Sequence, residues 1–269
     1  MNGVGIATSV EILVMIGVPI ALAVTLARRA HASWATLGAG VVSFLGSQVV
    51  HLPLNWGLAS AGVLGAARPA VMSAIVLGLT SGLCEESARW LTLRFWRRGD
   101  RDAPSALMFG TGHGGVESVF VGLIAAATLA SMFAMRDVDP RTIGVPAEQA
   151  GLVGQQVAAF WALPWWSPLL GAAERLMAIT FHLSASSLVV LALVRRQPAW
   201  VALAVLWHAV TNTSVVLALG AWGPVAAEGL LLAMTPVSVA LILGVRRSLA
   251  RSVAPPPSPP VGPASATDG

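Results

Sequence analysis

The chain has 269 residues, of which 56% are hydrophobic and only 10% charged, and its mean hydropathy is +0.76. Soluble domains carry about 25% charge, so this balance excludes a soluble domain and predicts an all-α, polytopic bundle in a lipid bilayer. All 16 basic residues are arginine and the net charge is only +4, which gives no basis for a nucleic-acid partner. The single cysteine, Cys84, excludes an intramolecular disulfide and a CxxC metal site.

The first residues lack a basic segment and include Glu11. A cleaved signal peptide is therefore not expected, and the first apolar stretch is predicted to be a retained span. A span needs roughly 20 mostly apolar residues. Seven stretches fit: 4–26, 34–53, 70–95, 105–134, 168–194, 199–220 and 223–245. Residues 1–253 are thus expected to form a transmembrane domain of about seven helices, with the site-bearing helices within 70–220. Within the long connection of about 136–167, Glu148–Trp161 reads as an interfacial helix. The tail 254–269 is rich in Pro, Ser and Ala and is expected to be disordered. No internal repeat stands out, so an inverted-repeat transporter gains no support.

Arginine placement sets the expected orientation. Alternate connections and the last helix end hold Arg28, Arg29, Arg94, Arg97, Arg98, Arg101, Arg195, Arg196, Arg246, Arg247 and Arg251. The other side holds Arg68, Arg136 and Arg141. The richer side is expected to be cytoplasmic, with the N-terminus outside and the C-terminus inside, in a bacterial plasma membrane. Several tryptophans near span ends, Trp34, Trp56, Trp96, Trp165, Trp166, Trp200 and Trp222, fit interfacial positions.

Within this apolar background a few polar residues are conspicuous. Glu85 and Glu86 are adjacent in the third span, with Arg89 one turn on. Ionisable groups inside a bilayer are costly and usually face a protein interior. Successive helical residues point about 100° apart, so the two carboxylates diverge while Arg89 can reach either. One glutamate acting and the other held by Arg89 is the expected division; the plainer reading is an ion pair that locks helices together. His113 lies among Gly110, Gly112, Gly114 and Gly115, which permit close helix approach or a local break. Glu117, one turn beyond, can orient the His113 ring. His182 follows Glu174 and Arg175, which are expected to form a second polar layer or to pair with Arg89 or Glu117. His208 and Asn212 share one face of the sixth span and suit oxyanion stabilisation or simple interhelical bonding.

Depth links these residues. Counted along their helices, Glu85, His113, His182 and His208 lie about eight to twelve residues from the same membrane face, hence at a similar level at roughly 1.5 Å per residue. They come from four different helices, and packing histidines have no need to share a depth. His31 is expected in a solvated turn. His51, with Gln48 and Asn55, is expected near the external interface. Cys84 reads as an apolar filler.

The ordered set Glu85-Glu86-x-x-Arg89, Phe109-x-x-x-His113 and His208-x-x-x-Asn212 resembles the glutamic-type intramembrane protease superfamily, which includes the CAAX prenyl endopeptidases, bacterial CPBP proteins and PrsW-like proteins. The fuller glycine-rich pattern around His113 and the spacing from Glu174-Arg175 to His182 look most like its YhfC branch. The CAAX enzymes usually space their arginine one residue further. The resemblance covers about 85–212 and implies peptide-bond hydrolysis in or beside the membrane, on a membrane-associated or transmembrane peptide. It implies Glu85 as general base, His113 as a partner in deprotonating water, and His208 with Asn212 as the oxyanion site. Glu86 and Arg89 are then supports, with Glu117 and His182 nearby.

A metal-free site is the first expectation. A zinc site drawn from Glu85, His113, His182 and His208 is the second, because one carboxylate and several histidines supply enough ligands and leave room for water. The competing functional class is an ion- or proton-coupled transporter using the same Glu/His cluster as a relay.

Overall fold

The computed structural model describes residues 2–253. The Pro-rich tail 254–269 lies outside the described residues. Eight α-helices follow in chain order: α1 Gly3–Arg29, α2 Trp34–Ser60, α3 Ala70–Leu91, α4 Ala103–Ala134, α5 Ala147–Trp161, α6 Ser167–Arg195, α7 Ala199–Trp222 and α8 Pro224–Val253. No strand occurs among the described residues. The protein is an integral, multi-pass membrane protein. Six of its helices, α1, α2, α4, α6, α7 and α8, are long and apolar enough to cross a membrane.

The expected third span forms α3 and continues into a π-helical turn at Thr92–Trp96. Unlike the six, α3 carries Glu85, Glu86 and Arg89 within its length, and all three are buried against neighbouring helices. Its 22 residues reach about 33 Å at 1.5 Å per residue. The 15 residues of α5 reach only about 22 Å on the same rise, short of a hydrocarbon core of about 30 Å.

Local chemistry sets the helix ends. Asn2, Ser33 and Asp102 cap α1, α2 and α4 by accepting from Gly5, Ala35 and Ser105 backbone N–H groups. Gly223 breaks α7 from α8 with a φ of 82°, a conformation that glycine adopts without steric cost, and Pro224 opens the next helix. Two helices exceed the expected spans. α2 runs seven residues past Pro53, to Ser60, and α8 runs to Val253. Proline inside α2 is tolerable because its missing bond can be compensated within a packed bundle.

α6 is the most enclosed span and packs between α1, α4, α7 and α8, while α3 lies along α7 and against α2. Small residues make this closeness workable. A Cβ on Gly82 of α3 would meet the Val205 carbonyl oxygen of α7 at 2.8 Å, closer than side chains pack.

The arginine-rich ends gather on one face. Thr36, at the start of α2, donates to Asp100 (2.7 Å) and accepts from Arg97 (3.0 Å) in the α3–α4 connection. Arg195 at the end of α6 donates to Ser248 Oγ of α8 (2.9 Å). On the opposite face, α5 docks against the end of α4. Trp161 Nε1 donates to the Met132 carbonyl (3.2 Å), and Arg136 lies over the indole, 4.7 Å from its ring centroid.

Candidate functional site

Four helices converge on one buried cluster. α3 supplies Glu85, Glu86 and Arg89; α4 supplies His113 and Glu117; α6 supplies Arg175 and His182; α7 supplies His208 and Asn212. Glu86 and Arg89 are fully enclosed, as is His113. The matched depths along separate helices thus correspond to contact in space.

Glu85 Oε2 lies 3.1 Å from His113 Nε2. Its other oxygen, Oε1, accepts from Ser81 Oγ (3.3 Å) and lies 3.9 Å from His208 Nε2. Arg89 is nearer to Glu86 than to Glu85. Its Nε donates to Glu86 Oε1 (3.2 Å), whereas its closest approach to Glu85 is 3.8 Å. The rest of the guanidinium is occupied by Ser186 Oγ (2.7 Å) and His182 Nδ1 (2.7 Å). The adjacent glutamates therefore differ: Glu85 lines a cavity, and Glu86 sits behind it on Arg89 and His208.

The partners assign ring tautomers, because carboxylates only accept and guanidinium only donates. His182 Nδ1 accepts from Arg89, so Nε2 carries the proton and donates to Glu117 Oε2 (2.8 Å). His208 Nδ1 donates to Glu86 Oε1 (2.8 Å), which turns Nε2 toward Ser81 (3.0 Å). His113 Nδ1 is buried without a hydrogen-bond partner. The three imidazoles stand in a row, with centroids 5.4 Å apart between His113 and His182 and 6.0 Å between His182 and His208. Phe181 packs edge-on against the last two at 5.1 and 4.9 Å.

The glycines around His113 serve close approach. α4 is unbroken through them, and a Cβ on Gly114 would meet the His182 ring Cδ2 at 2.6 Å.

A cavity of about 350 Å³ reaches the cluster. Ser81, Glu85, His182, His208 and Asn212 line its inner part. Gln48, His51 and Asn55 form one wall, and Glu117, Glu174 and Arg175 another. Arg175 donates to Glu117 Oε1 (3.0 Å) and to Glu174 Oε1. The second polar layer thus pairs with Glu117 and not with Arg89.

One residue-level expectation changes, and two gain detail. Glu117 bonds His182 and Arg175 and leaves His113 alone, because the helix turns its carboxylate toward α6. Asn212 donates to Ser81 Oγ (2.9 Å) and meets His208 through that shared hydroxyl. His51 is half-buried and lines the cavity. Asn55 Nδ2 reaches it at 2.9 Å, while Thr80 Oγ1 donates to Asn55 Oδ1 (2.9 Å), so these groups form a polar wall inside the bundle. Ser81 went unrecognised, although it is one turn before Glu85 on the same face. The Gln48, His51, Asn55 stripe at helical spacing, read from the sequence as one polar group, lines the same cavity as the cluster.

One carboxylate and two imidazoles, from Glu85, His113 and His182, offer ligand atoms all within 4.8 Å of one another. Their chemistry fits a divalent cation. Glu85 and Glu86 against Arg89 leave one unit of negative charge in a buried cluster when the histidines are neutral, and an added cation offsets it. His182 and His208 each have a carboxylate behind them, the arrangement common for histidine ligands. His182 as a ligand must give up its bond from Arg89.

The family described as YhfC intramembrane metalloprotease matches this chain over residues 14–230, and the chain belongs to that family. The protein named "Uncharacterized membrane protein YhfC" from Bacillus subtilis (strain 168) is 30% identical over 143 residues, 52% of this chain and 54% of that protein. The chain thus aligns with about half the length of this curated relative. No solved structure matches. The family description carries the metal reading that the sequence alone ranked second; the wider glutamic-type superfamily stands as a resemblance of motifs.

Proposed function

We propose that this protein is an intramembrane endopeptidase that hydrolyses a peptide bond of a membrane-associated or transmembrane substrate at a metal-dependent centre. The observation that carries this reading is the 3.1 Å approach of Glu85 Oε2 to His113 Nε2 beside His182, where Glu85 and His182 line the cavity and His113 is buried behind them. Glu85, His113 and His182 would hold the ion, with zinc the first candidate. Such an ion, when bound, polarises a carbonyl and makes a bound water a better nucleophile.

The protein's own groups then divide the work. Glu85 Oε1 faces Ser81 and His208, and its second lone pair would take the proton of the attacking water and deliver it to the leaving amine. His208 Nε2 and Asn212 Nδ2 converge on Ser81 Oγ; Asn212, and His208 in its doubly protonated form, would stabilise the oxyanion. Glu86, itself held by Arg89, keeps His208 in place, and Glu117 keeps His182 in place. In this reading α3 is a seventh span, the arginine-rich face is cytoplasmic, and the polar cavity wall admits water from the opposite side of a bacterial plasma membrane.

The test compares purified wild type with Glu85→Gln for bound metal and for cleavage of a panel of transmembrane and prenylated peptides. Cleavage by the wild type alone supports the proposal; equal cleavage by both removes Glu85 from the chemistry. The second reading, a proton- or ion-coupled transporter, draws on the row of carboxylates Glu85, Glu117 and Glu174 along one cavity. Glu85-dependent proton or cation flux in proteoliposomes, without peptide cleavage, would favour it.

A further inference from the structure

A second cavity of about 430 Å³ opens on the arginine-rich face, about one turn beyond Arg89 and away from the Glu85 cluster. Arg94 in the π-helical turn after α3 and Arg196, the residue that caps α6, line it, with Gln197 from the α6–α7 connection. Both arginines are exposed. Among the described residues, neither guanidinium has a hydrogen-bond or ion-pair partner. Their neighbours behave differently. Arg97 is held by Asp100 (2.7 Å), Arg101 by the Leu93 carbonyl (2.8 Å) and Arg195 by Ser248 (2.9 Å).

The remaining lining is apolar: Trp90, Ala192, Leu193 and Val201. It adjoins exposed hydrophobic surface at Leu91, Phe95 and Trp96. A charged mouth over an apolar wall at the edge of a membrane span matches the two ends of a phospholipid. Arg196 also has a φ of 55°, in the left-handed region where glycine or asparagine normally ends a helix.

We propose that this cavity binds the phosphodiester headgroup of an anionic phospholipid, with Arg94 and Arg196 on the phosphate and the acyl chains along Trp90, Leu193 and Val201. Two arginines that share no acidic partner repel one another, and one phosphate between them relieves that repulsion. The apolar wall selects a lipid over a free anion.

Native mass spectrometry of the detergent-purified full chain tests this, using equal amounts of phosphatidylglycerol and phosphatidylcholine. Wild type is expected to retain phosphatidylglycerol with a preference of about tenfold or more, as two added basic contacts near a membrane surface would give. The preference should fall below about twofold in Arg94→Gln/Arg196→Gln and persist in Arg94→Lys/Arg196→Lys, since lysine also binds phosphate as a point charge. Arg246→Gln/Arg247→Gln, exposed on α8 of the same face, should keep it. Absence of preference in wild type overturns the proposal without any variant. Equal loss in both glutamine pairs also overturns it, by assigning the effect to diffuse charge. Displacement of the lipid by millimolar inorganic phosphate alone would assign the cavity to a free anion instead and likewise reject the proposal.

Discussion

Glu117 Oε2 accepts from His182 Nε2 at 2.8 Å, so a carboxylate on α4 fixes the ring of a histidine on α6. Arg175 closes the arrangement by donating to the other Glu117 oxygen (3.0 Å). Such a carboxylate sets the tautomer of the imidazole and strengthens its remaining nitrogen as a ligand. Glu117→Gln keeps the shape and an acceptor but loses the charge. Its affinity for zinc should fall by about tenfold to a hundredfold, as read by competition with a fluorescent chelator. Unchanged affinity would show that His182 does not hold the ion.

The adjacent glutamates should separate experimentally. Glu85→Gln is expected to lower kcat by about a hundredfold to ten-thousandfold, as loss of an acid–base group does, with little change in melting temperature. Glu86→Gln leaves the enclosed Arg89 without its nearest charge partner. Breaking a buried pair from one side costs about 3–5 kcal/mol, so this variant should melt far earlier. Thermal unfolding in detergent and peptide cleavage, measured on both, decide the assignment.

Asn212 offers a cleaner test of the proposed oxyanion site. Its Nδ2 donates to Ser81 Oγ at 2.9 Å. Asn212→Ala should lower kcat by about a hundredfold to a thousandfold with KM nearly constant, the pattern of a donor used in the transition state. A loss confined to KM would make Asn212 a substrate-binding residue.

Removing the ion should separate catalysis from folding. Dialysis against a strong chelator is expected to abolish peptide cleavage, and stoichiometric zinc to restore it, with helical circular dichroism unchanged, because α6 packs against α1, α4, α7 and α8 along long apolar helices. Full activity in metal-free protein, verified by elemental analysis, would return the enzyme to a carboxylate-only mechanism.

Gly114 tests the packing beneath the site. A methyl group there would meet His182 Cδ2 at 2.6 Å, so Gly114→Ala must displace the imidazole from Arg89 or Glu117. Overpacking of this kind costs about 1–3 kcal/mol. Zinc affinity and cleavage should both fall while the protein still purifies as a folded species; wild-type values for both would show that His182 tolerates the shift.

The sequence carried a good deal of this. Long apolar stretches give helices because a bilayer leaves backbone groups no other partners, so all seven expected spans occur as helices with ends mostly within a few residues. Rise per residue is fixed, so counting along separate helices was enough to put Glu85, His113, His182 and His208 at one level. Charge within an apolar span marked Glu85, Glu86 and Arg89 as interior groups.

Only the tertiary structure decided which atom meets which. Glu117 was within reach of His113 along its own helix, yet α6 approaches closely enough for His182 to take it. His51 and Asn55 joined a polar wall only because α3 brought Thr80 beside Asn55. Ser81 carried no signal of its own and gained a role only when α7 placed His208 and Asn212 around its hydroxyl. Depth in the membrane is a local property of one helix, set by its rise and its apolar length. Direction around the helix axis acquires meaning only from the neighbour packed there, and that neighbour is chosen by contacts distant in sequence.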